Sequence, residues 1–333
     1  MGTRITYLET GSQDPFYNLA FEEYVLTHRG TGDYLLLWQN DNTIVIGQNQ
    51  NAEEEIDRAF VEAHGIRVVR RTTGGGAVYH DLGNLNYSFI TDAGEAEKLT
   101  MERFTRPVVN ALRGLGLRAE ASGRNDILVE GRKVSGTAQR LLNGRILHHG
   151  TLLFDADPGM VAGALRADPE KFRSKSAKSV RSRIGNIREF LREDMDLPAF
   201  WEYLKTALAG AGFVGGGLTA EELEGVEALK REKYDTWEWN FGRSPAYDMM
   251  NRRHWDGGSL EVRLSVKGGR ITGIAFLGDF LSRCPLEPLT EALRGVPFRR
   301  EDVTEVLERQ PLSDYFGGIT TAEILETIFH VCE

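Results

Sequence analysis

The residues of this 333-residue chain best suited to chemistry run from Arg70 to Phe89, in the order Arg-Arg-Thr-Thr-Gly-Gly-Gly-Ala-Val-Tyr-His-Asp-Leu-Gly-Asn-Leu-Asn-Tyr-Ser-Phe. Gly74, Gly75 and Gly76 carry no Cβ, so the backbone there can take positive φ, approach a ligand closely and turn successive N–H groups into one concavity. Arg70 and Arg71 add fixed charge, and Thr72 and Thr73 add short hydroxyl groups. Such a set suits an anion such as a phosphate or a carboxylate. Residues 66–69 and 85–90 read as strands on either side, which makes the glycine-dense middle a loop between sheet strands.

A second group is Gly123-Arg124-Asn125-Asp126-Ile127 followed by Gly131-Arg132-Lys133-Val134-Ser135-Gly136-Thr137-Ala138. If a turn at Glu130-Gly131 joins two adjacent strands, Asp126 and Lys133 come together, and the carboxylate can orient the ammonium or hold Mg²⁺. Lys133 is a compact charge with three donors, able to bridge two anionic oxygens, as joining a carboxylate to an α-phosphate requires. His80-Asp81 and His148-His149 lack zinc-site spacing, and no Gly-x-Ser-x-Gly elbow offers a serine nucleophile, so the histidines read as hydrogen-bonded structural or ligand-contacting residues. There is neither a Walker loop nor a Rossmann fingerprint, so ATP, if bound, is held in another way.

The elements that must position these groups follow from pattern. Asp14-Pro15 opens a helix with Phe16, Leu19, Ala20 and Tyr24 on one face up to Gly30. Residues 34–38 and 43–46 read as a hairpin around Gln39-Asn40-Asp41-Asn42, and 52–63 as a helix with an acidic first turn. Phe104, Val108, Val109 and Leu112 mark a further helix that Pro107 must start or kink. Between 117 and 154 turn signals alternate with strand-like runs, which gives an α+β mixed sheet rather than a doubly wound one. From 171 to 188 Lys171, Arg173, Lys175, Lys178, Arg181, Arg183 and Arg188 occur with no acidic residue among them, either an anion-binding lid or a solvated loop. The tryptophans of Trp237-Glu238-Trp239-Asn240-Phe241-Gly242 read as packing anchors. The polar stretch 251–258 has the composition of a hinge, and strands at 259–266 and 270–277 with helices beyond them make a small α+β appendage. The expected organisation is a large ligand-binding domain at 1–249 and an accessory domain at 250–333.

Composition narrows the classes. Glycine, 37 of 333 residues, exceeds the usual share of about 7%. The excess belongs in working loops. A net charge of −9 and a pI near 5.5 argue against nonspecific nucleic-acid binding, which needs a basic surface. Cys284 and Cys332 are the two cysteines, so a disulfide framework is not expected and a reducing, cytoplasmic setting is. No signal-peptide core and no bilayer-length apolar run is present, and the expectation is a soluble protein without membrane association.

Taken together, residues 70–81, Gly123-Arg124-Asn125-Asp126, Arg132-Lys133-Val134-Ser135-Gly136, His148-His149-Gly150-Thr151-Leu152 and Ser179-Val180-Arg181-Ser182-Arg183 resemble bacterial lipoate-protein ligases. The aromatic stretch and the appendage extend the resemblance to the full-length form with a C-terminal accessory domain. Thr72-Thr73 stands where many members carry serine, which keeps the hydroxyls. The resemblance implies a large mixed-sheet domain of the lipoate/biotin-ligase type. It also implies a two-step reaction: lipoate and ATP give lipoyl-AMP and pyrophosphate, and the acyl group passes to a lysine on lipoyl domains of 2-oxoacid dehydrogenase complexes or on the glycine cleavage H protein. It assigns lipoate to Arg70, Gly74, Gly75, Gly76, Lys133 and His149. It assigns ATP to Arg71, Gly76, Ala77, Val78, Tyr79, Asn84, Asp126, Lys133, Arg181, Ser182 and Arg183, with Asp126 a candidate for Mg²⁺, Lys133 catalytic, and a monomer as the working form. By the same resemblance the accessory domain reorients once the adenylate forms. Three rivals stand beside it. An octanoyltransferase would use a cysteine thioester, and the large domain has no cysteine; biotin-protein ligase has a different glycine- and arginine-rich signature; a non-enzymatic acyl-adenylate-binding protein could dispense with Lys133.

Overall fold

The computed structural model describes residues 5–93, 101–123, 125–165, 184–210, 213–242, 249–267 and 269–329; Arg124, the basic residues between 171 and 183, and Cys332 lie outside them. The chain begins with β1 (Ile5–Glu9) and α1 (Pro15–His28). Asp14 caps that helix by accepting the Phe16 N–H, and Pro15 supplies the fixed φ of a first helical residue. Then follow β2 (Asp33–Trp38), β3 (Thr43–Ile46), α2 (Ala52–Glu55), α3 (Arg58–Ala63), β4 (Arg67–Arg70), β5 (Val78–His80), β6 (Asn84–Asp92), α4 (Glu102–Gly114), β7 (Ala119–Ser122), β8 (Asp126–Val129), β9 (Arg132–Leu142) and β10 (Arg145–Leu153). A short strand, β11 (Val214–Gly215), completes an eight-stranded sheet of order β11-β1-β2-β6-β10-β9-β8-β7. Its β11-β1-β2 edge is parallel, and β2-β6-β10-β9-β8-β7 is antiparallel. The expected mixed α+β sheet is present.

Alternation along the strands sends successive side chains to opposite faces. Leu35, Leu37, Tyr87 and Phe89 enter one core with Phe104, Val108 and Leu112 of α4, and Leu36, Trp38 and Ile90 enter another with Leu19, Phe21 and Val25 of α1. A small second sheet, β4-β3-β5, lies over a third core containing Ile44, Ile46, Val68 and Tyr79. Residues 249–329 build a separate three-stranded sheet, β12 (Met249–Trp255), β13 (Gly258–Lys267) and β14 (Arg270–Gly278), whose core includes Val262, Phe276, Phe280, Leu307 and Phe316.

Several local expectations change. The runs at 34–38 and 43–46 form no hairpin, because β2 pairs with β1 and β6 while β3 pairs with β4 and β5. The connection is pinned instead by fully buried Asn40, whose Oδ1 accepts from Asn18 Nδ2, and by Asn42 at φ 40°. The expected helix at 52–63 is two helices, because Asp57 interrupts it to cap α3 through the Phe60 N–H. Pro107 does not start α4 but lies inside it. The stretch read as a hinge is mostly strand: β12 pairs with β13 from Met249↔Leu264 to Trp255↔Gly258.

Turns set the register that matters for the site. Glu130 and Gly131 both take positive φ, 51° and 76°, the pair of values a two-residue hairpin turn requires. They fold β9 back on β8, and a register shift between Ile127 and Leu128 accommodates Lys133 opposite Leu128. On β10, Gly150 is needed because a Cβ there would lie 2.6 Å from Tyr87 Oη and 2.7 Å from Cζ. Gly150→Ala should therefore lower stability by about 1–3 kcal/mol through overpacking, seen as a lower urea midpoint with unchanged m-value. An unchanged midpoint would show that Tyr87 has room to move.

Candidate active site

A cavity of about 110 Å³ lies on the α1-facing side of the large sheet, lined by Leu19, Trp38, Val45, Arg71, the backbone from Gly75 to Val78, His80, Asn86, Asn125, Lys133, Gly136, Thr137, Ala138, His149, Gly150 and Thr151. Its polar mouth is built by β8 and β9. Lys133 Nζ is 2.7 Å from Asp126 Oδ1, and a Cβ on Gly136 would be 3.3 Å from Nζ. The ammonium thus lies flat over a residue without a side chain, held from behind by one carboxylate and still partly exposed toward the cavity.

Two buried arginines shape the glycine loop. Arg70, 1% exposed, donates from Nη1 to the carbonyls of Gly47, Gln48 and Gln50 and from Nε and Nη2 to those of Trp239 and Asn240. Arg71 donates to Thr73 Oγ1 and to the carbonyls of Val45, Gly74 and Gly76. Burial lowers its pKa to about 10, opposed by the charge of Glu22. Arg71 is committed to the loop itself and to Val45, and Arg70 to the segments packed against the loop at 47–50 and 239–240.

Behind the cavity floor a polar chain runs between the α1-facing side of the sheet and α1. Thr73 Oγ1 is 2.8 Å from His149 Nε2, and His149 Nδ1 is 2.9 Å from Glu22 Oε1. Ser88 donates to the same oxygen at 2.5 Å and accepts from Trp38 Nε1 at 2.9 Å. One carboxylate on α1 therefore orients two cavity walls, the His149 ring and the Trp38 indole. His148 points to the opposite face, stacked on Phe104 with its Nδ1 at 2.9 Å from the Gln139 amide. His80 has its Nδ1 at 3.2 Å from Asn40 Nδ2. Desolvation, reinforced by nearby positive charge, pushes both rings down to about 3, so each is neutral in the folded protein.

Of the residues expected to bind ligand, Gly75, Gly76, Ala77, Val78, Arg71, Lys133 and His149 line the cavity. Arg70 does not, and it fastens the loop from below. Gly74 is also absent from the lining: a Cβ there would meet Ser282 N at 2.5 Å and Phe280 O at 2.8 Å, so its missing side chain admits the 279–282 backbone. Tyr79 packs into the third core and donates to Asn42 Oδ1. Asn84 is fully buried and donates to Asn86 Oδ1. Asp126 meets the cavity only through Lys133. Arg181, Ser182 and Arg183 lie outside the described residues. Unforeseen are Trp38, Asn86, Asn125 and the Glu22 relay. A usable signal existed in Asn84, Asn86 and Ser88, which place polar groups at every second position of a buried strand. The Mg²⁺ expectation has one supporting carboxylate, Asp126, since no group of three potential ligands occurs among the described residues. A single carboxylate fits a cation carried on nucleotide phosphates rather than in a protein cage.

Comparison with known proteins agrees with this arrangement. Residues 14–209 match the lipoyl protein ligase A/B catalytic domain and residues 244–328 the bacterial lipoate protein ligase C-terminus. The chain is 43% identical over 321 residues to lipoate-protein ligase LplJ of Bacillus subtilis, covering 95% of this chain and 97% of that one. It is 41% identical to lipoate–protein ligase 1 of Staphylococcus aureus, covering 94% and 96%. Among solved structures, a bipartite lipoate protein ligase from Thermoplasma acidophilum, described with its E2 lipoyl domain, aligns at TM-score 0.65 and 33% identity over 75% of this chain and all of that one. A lipoate-protein ligase A bound with ATP aligns at 0.62 and 30%, over 73% and 99%. The fold over nearly the whole chain is shared with LipL1 of P. falciparum, at TM-score 0.77 and 22% identity over 97% of both.

The neutral histidines generate a pH prediction. Below about pH 6.5 the unfolded chain protonates each ring, whereas folded His80 and His148 resist protonation down to about 3. The unfolded state then binds more protons, so stability falls as pH drops through that window. Each ring should remove about 2 kcal/mol by pH 5. Urea midpoints between pH 8 and 5 should show the decline, and His148→Phe should flatten it. A pH-independent midpoint would mean that the rings are protonated in place.

Proposed function

The chain belongs to the bacterial lipoate-protein ligase family, and from that membership we propose that it is an ATP-dependent ligase that activates lipoate as lipoyl-AMP and transfers the lipoyl group to a lysine of a lipoyl domain. The observation that carries this reading is the Lys133 ammonium, held by Asp126 over Gly136 at the polar end of a cavity whose other end is apolar. An acyl chain fits the apolar end formed by Leu19, Trp38, Val45 and Val78. Its carboxylate then lies beside a fixed cation, where attack on the α-phosphorus forms the mixed anhydride and pyrophosphate departs.

Lys133 stabilises the charge that develops on the carboxylate and phosphoryl oxygens, the kind of preorganised donor worth most in a water-poor site. The backbone from Gly76 to Val78, which lines the cavity, offers further donors on the nucleotide side, with Arg181, Ser182 and Arg183 proposed as further nucleotide contacts. In the second step the acceptor amine attacks the acyl carbonyl and AMP leaves. No cysteine is needed, and Cys284 is poorly suited to be a nucleophile because burial raises its thiol to about 11. The acceptor class follows the archaeal relative and its E2 lipoyl domain; 2-oxoacid dehydrogenase complexes and the glycine cleavage H protein are the proposed hosts. A cytoplasmic setting agrees with the half-buried free thiol of Cys284 and with no described helix being long and apolar enough to cross a membrane.

The test is pyrophosphate release with ATP and lipoate, octanoate or biotin in parallel, followed by mass analysis of a lipoyl domain. Release with lipoate and a lipoyl mass shift on one lysine are expected, with no release on biotin. Lys133→Ala should lower adenylation by at least about 100-fold. Near-normal adenylation by that variant would remove Lys133 from the mechanism.

A further inference from the structure

Two buried N–H donors in the cavity wall have no acceptor among the described residues. His80 and Asn86 are 3% and 2% exposed, and both line the cavity. Among the described residues, His80 Nε2 and Asn86 Nδ2 are without hydrogen-bond partners. Their other polar atoms are committed in a fixed order. Asn18 Nδ2 donates to Asn40 Oδ1, which leaves Asn40 Nδ2 to donate to His80 Nδ1, so the neutral ring carries its hydrogen on Nε2. Asn84 Nδ2 donates to Asn86 Oδ1, so the free side of Asn86 is its NH₂. A desolvated donor left unmet destabilises by about 1–3 kcal/mol, and such groups in a binding cavity call for a ligand acceptor.

The sheet register locates that acceptor. Trp38 pairs with Asn86, and Asn86 with Thr151. Thr151 Oγ1 accepts from the Gly136 N–H, and Gly136 pairs with Asp126. These residues form one row across five strands, with Lys133 lying over Gly136. Asn86 is two strands from Gly136, about 10 Å. The Trp38 and His80 rings meet edge to face at 6.4 Å, at the far end of the same row. An eight-carbon acid with its carboxyl at Lys133 has a comparable extended length, about 9 Å by ordinary bond lengths. Its distal atoms therefore arrive at Asn86, next to the Trp38–His80 pair at the end of the row.

We propose that His80 and Asn86 form a two-donor subsite that receives the ring sulfurs of a dithiolane and sets a preference for lipoate over octanoate. The inference rests on the ligase reading above. Sulfur is a weak but real acceptor, whereas the terminal methylenes of octanoate leave both donors desolvated and unpaired. A site built around hydrogen-bond donors discriminates against an analogue that lacks the acceptor. Neither residue touches the reacting atoms, so both are specificity-determining rather than catalytic.

The experiment compares kcat/KM for pyrophosphate release with lipoate and with octanoate. The unmodified protein should favour lipoate by about tenfold or more. The shape-matched variants Asn86→Leu and His80→Phe should each narrow that ratio severalfold, mainly by improving octanoate. A ratio near one that folded variants leave unchanged would overturn the subsite while leaving the ligase reading intact. No release with either acid would instead overturn the ligase reading, and the stated ligand with it. Should the variants fail to fold, the unmodified protein labelled with ¹⁵N-histidine still decides. The His80 Nε2–H signal should shift on adding lipoate and stay in place on adding octanoate, and an equal response to both acids would overturn the proposal.

Discussion

Two buried guanidinium groups hold the glycine loop, and the rest of the site depends on them. A loop with three consecutive glycines is entropically expensive to order, because glycine loses more backbone freedom on folding than any other residue. Arg70 and Arg71 offset this by donating to carbonyls on both sides of the loop, from Gly47 to Gln50, at Gly74 and Gly76, and at Trp239 and Asn240. Buried carbonyls must find donors in any case, and arginine supplies several in a rigid planar fork. With the carbonyls drawn toward the two side chains, the loop backbone at Gly75 and Gly76 is left facing the cavity. Glu22 then balances the buried charge of Arg71 and also positions His149 and, through Ser88, Trp38. Charge neutrality in the interior and the shape of the apolar end of the cavity are one problem with one solution.

This explains which parts of the site were legible in the sequence. The Glu130-Gly131 turn was visible because positive φ at two successive positions demands particular residue types, and it brought Asp126 to Lys133 as expected. The glycine loop was visible for the same kind of reason. The roles of Arg70 and Gly74 were not, because an arginine beside glycines signals anion binding and backbone support equally well. Only the three-dimensional path, which brings Trp239, Asn240 and the 279–282 backbone to the loop, separates the two. Glu22 was invisible for another reason: it lies on an otherwise apolar helix face and its partners, His149 and Ser88, come from strands far away in the chain, whereas Asn86 belonged to an alternation of polar residues, Asn84, Asn86 and Ser88, that the strand pattern did carry.

The fold misreadings share a cause. The runs at 34–38 and 43–46 have the lengths and punctuation of a hairpin, yet β3 leaves the large sheet because β4 and β5 offer it both edges. Residues 251–258 are polar because much of β12 is an edge strand exposed on one face, and a polar edge strand has much the same composition as a linker. Local composition reports exposure well and pairing poorly. The central strands β6 and β10, buried on both faces along most of their length, were read correctly.

The C-terminal module touches the glycine loop through backbone hydrogen bonds and through the Asp279 and Leu281 side chains, and this constrains how it can respond to a ligand. Gly75 donates its N–H to Phe280 O at 3.0 Å, Gly278 donates to Asn49 O at 2.9 Å, and Leu141 donates to Arg283 O at 2.6 Å. The Gly75 amide is one of the groups an anion in the cavity would recruit, and it cannot serve both acceptors fully. Asp279 also lies beside Gly76, with Oδ2 3.9 Å from where a Cβ would be. Negative charge arriving at the loop therefore competes with Phe280 for the amide and is repelled by this carboxylate, whereas a neutral acyl chain deeper in the cavity does neither. A ligand shifts a conformational equilibrium only through contacts that differ between its states. By that criterion the charged part of a ligand, not the acyl chain, is what the module can sense.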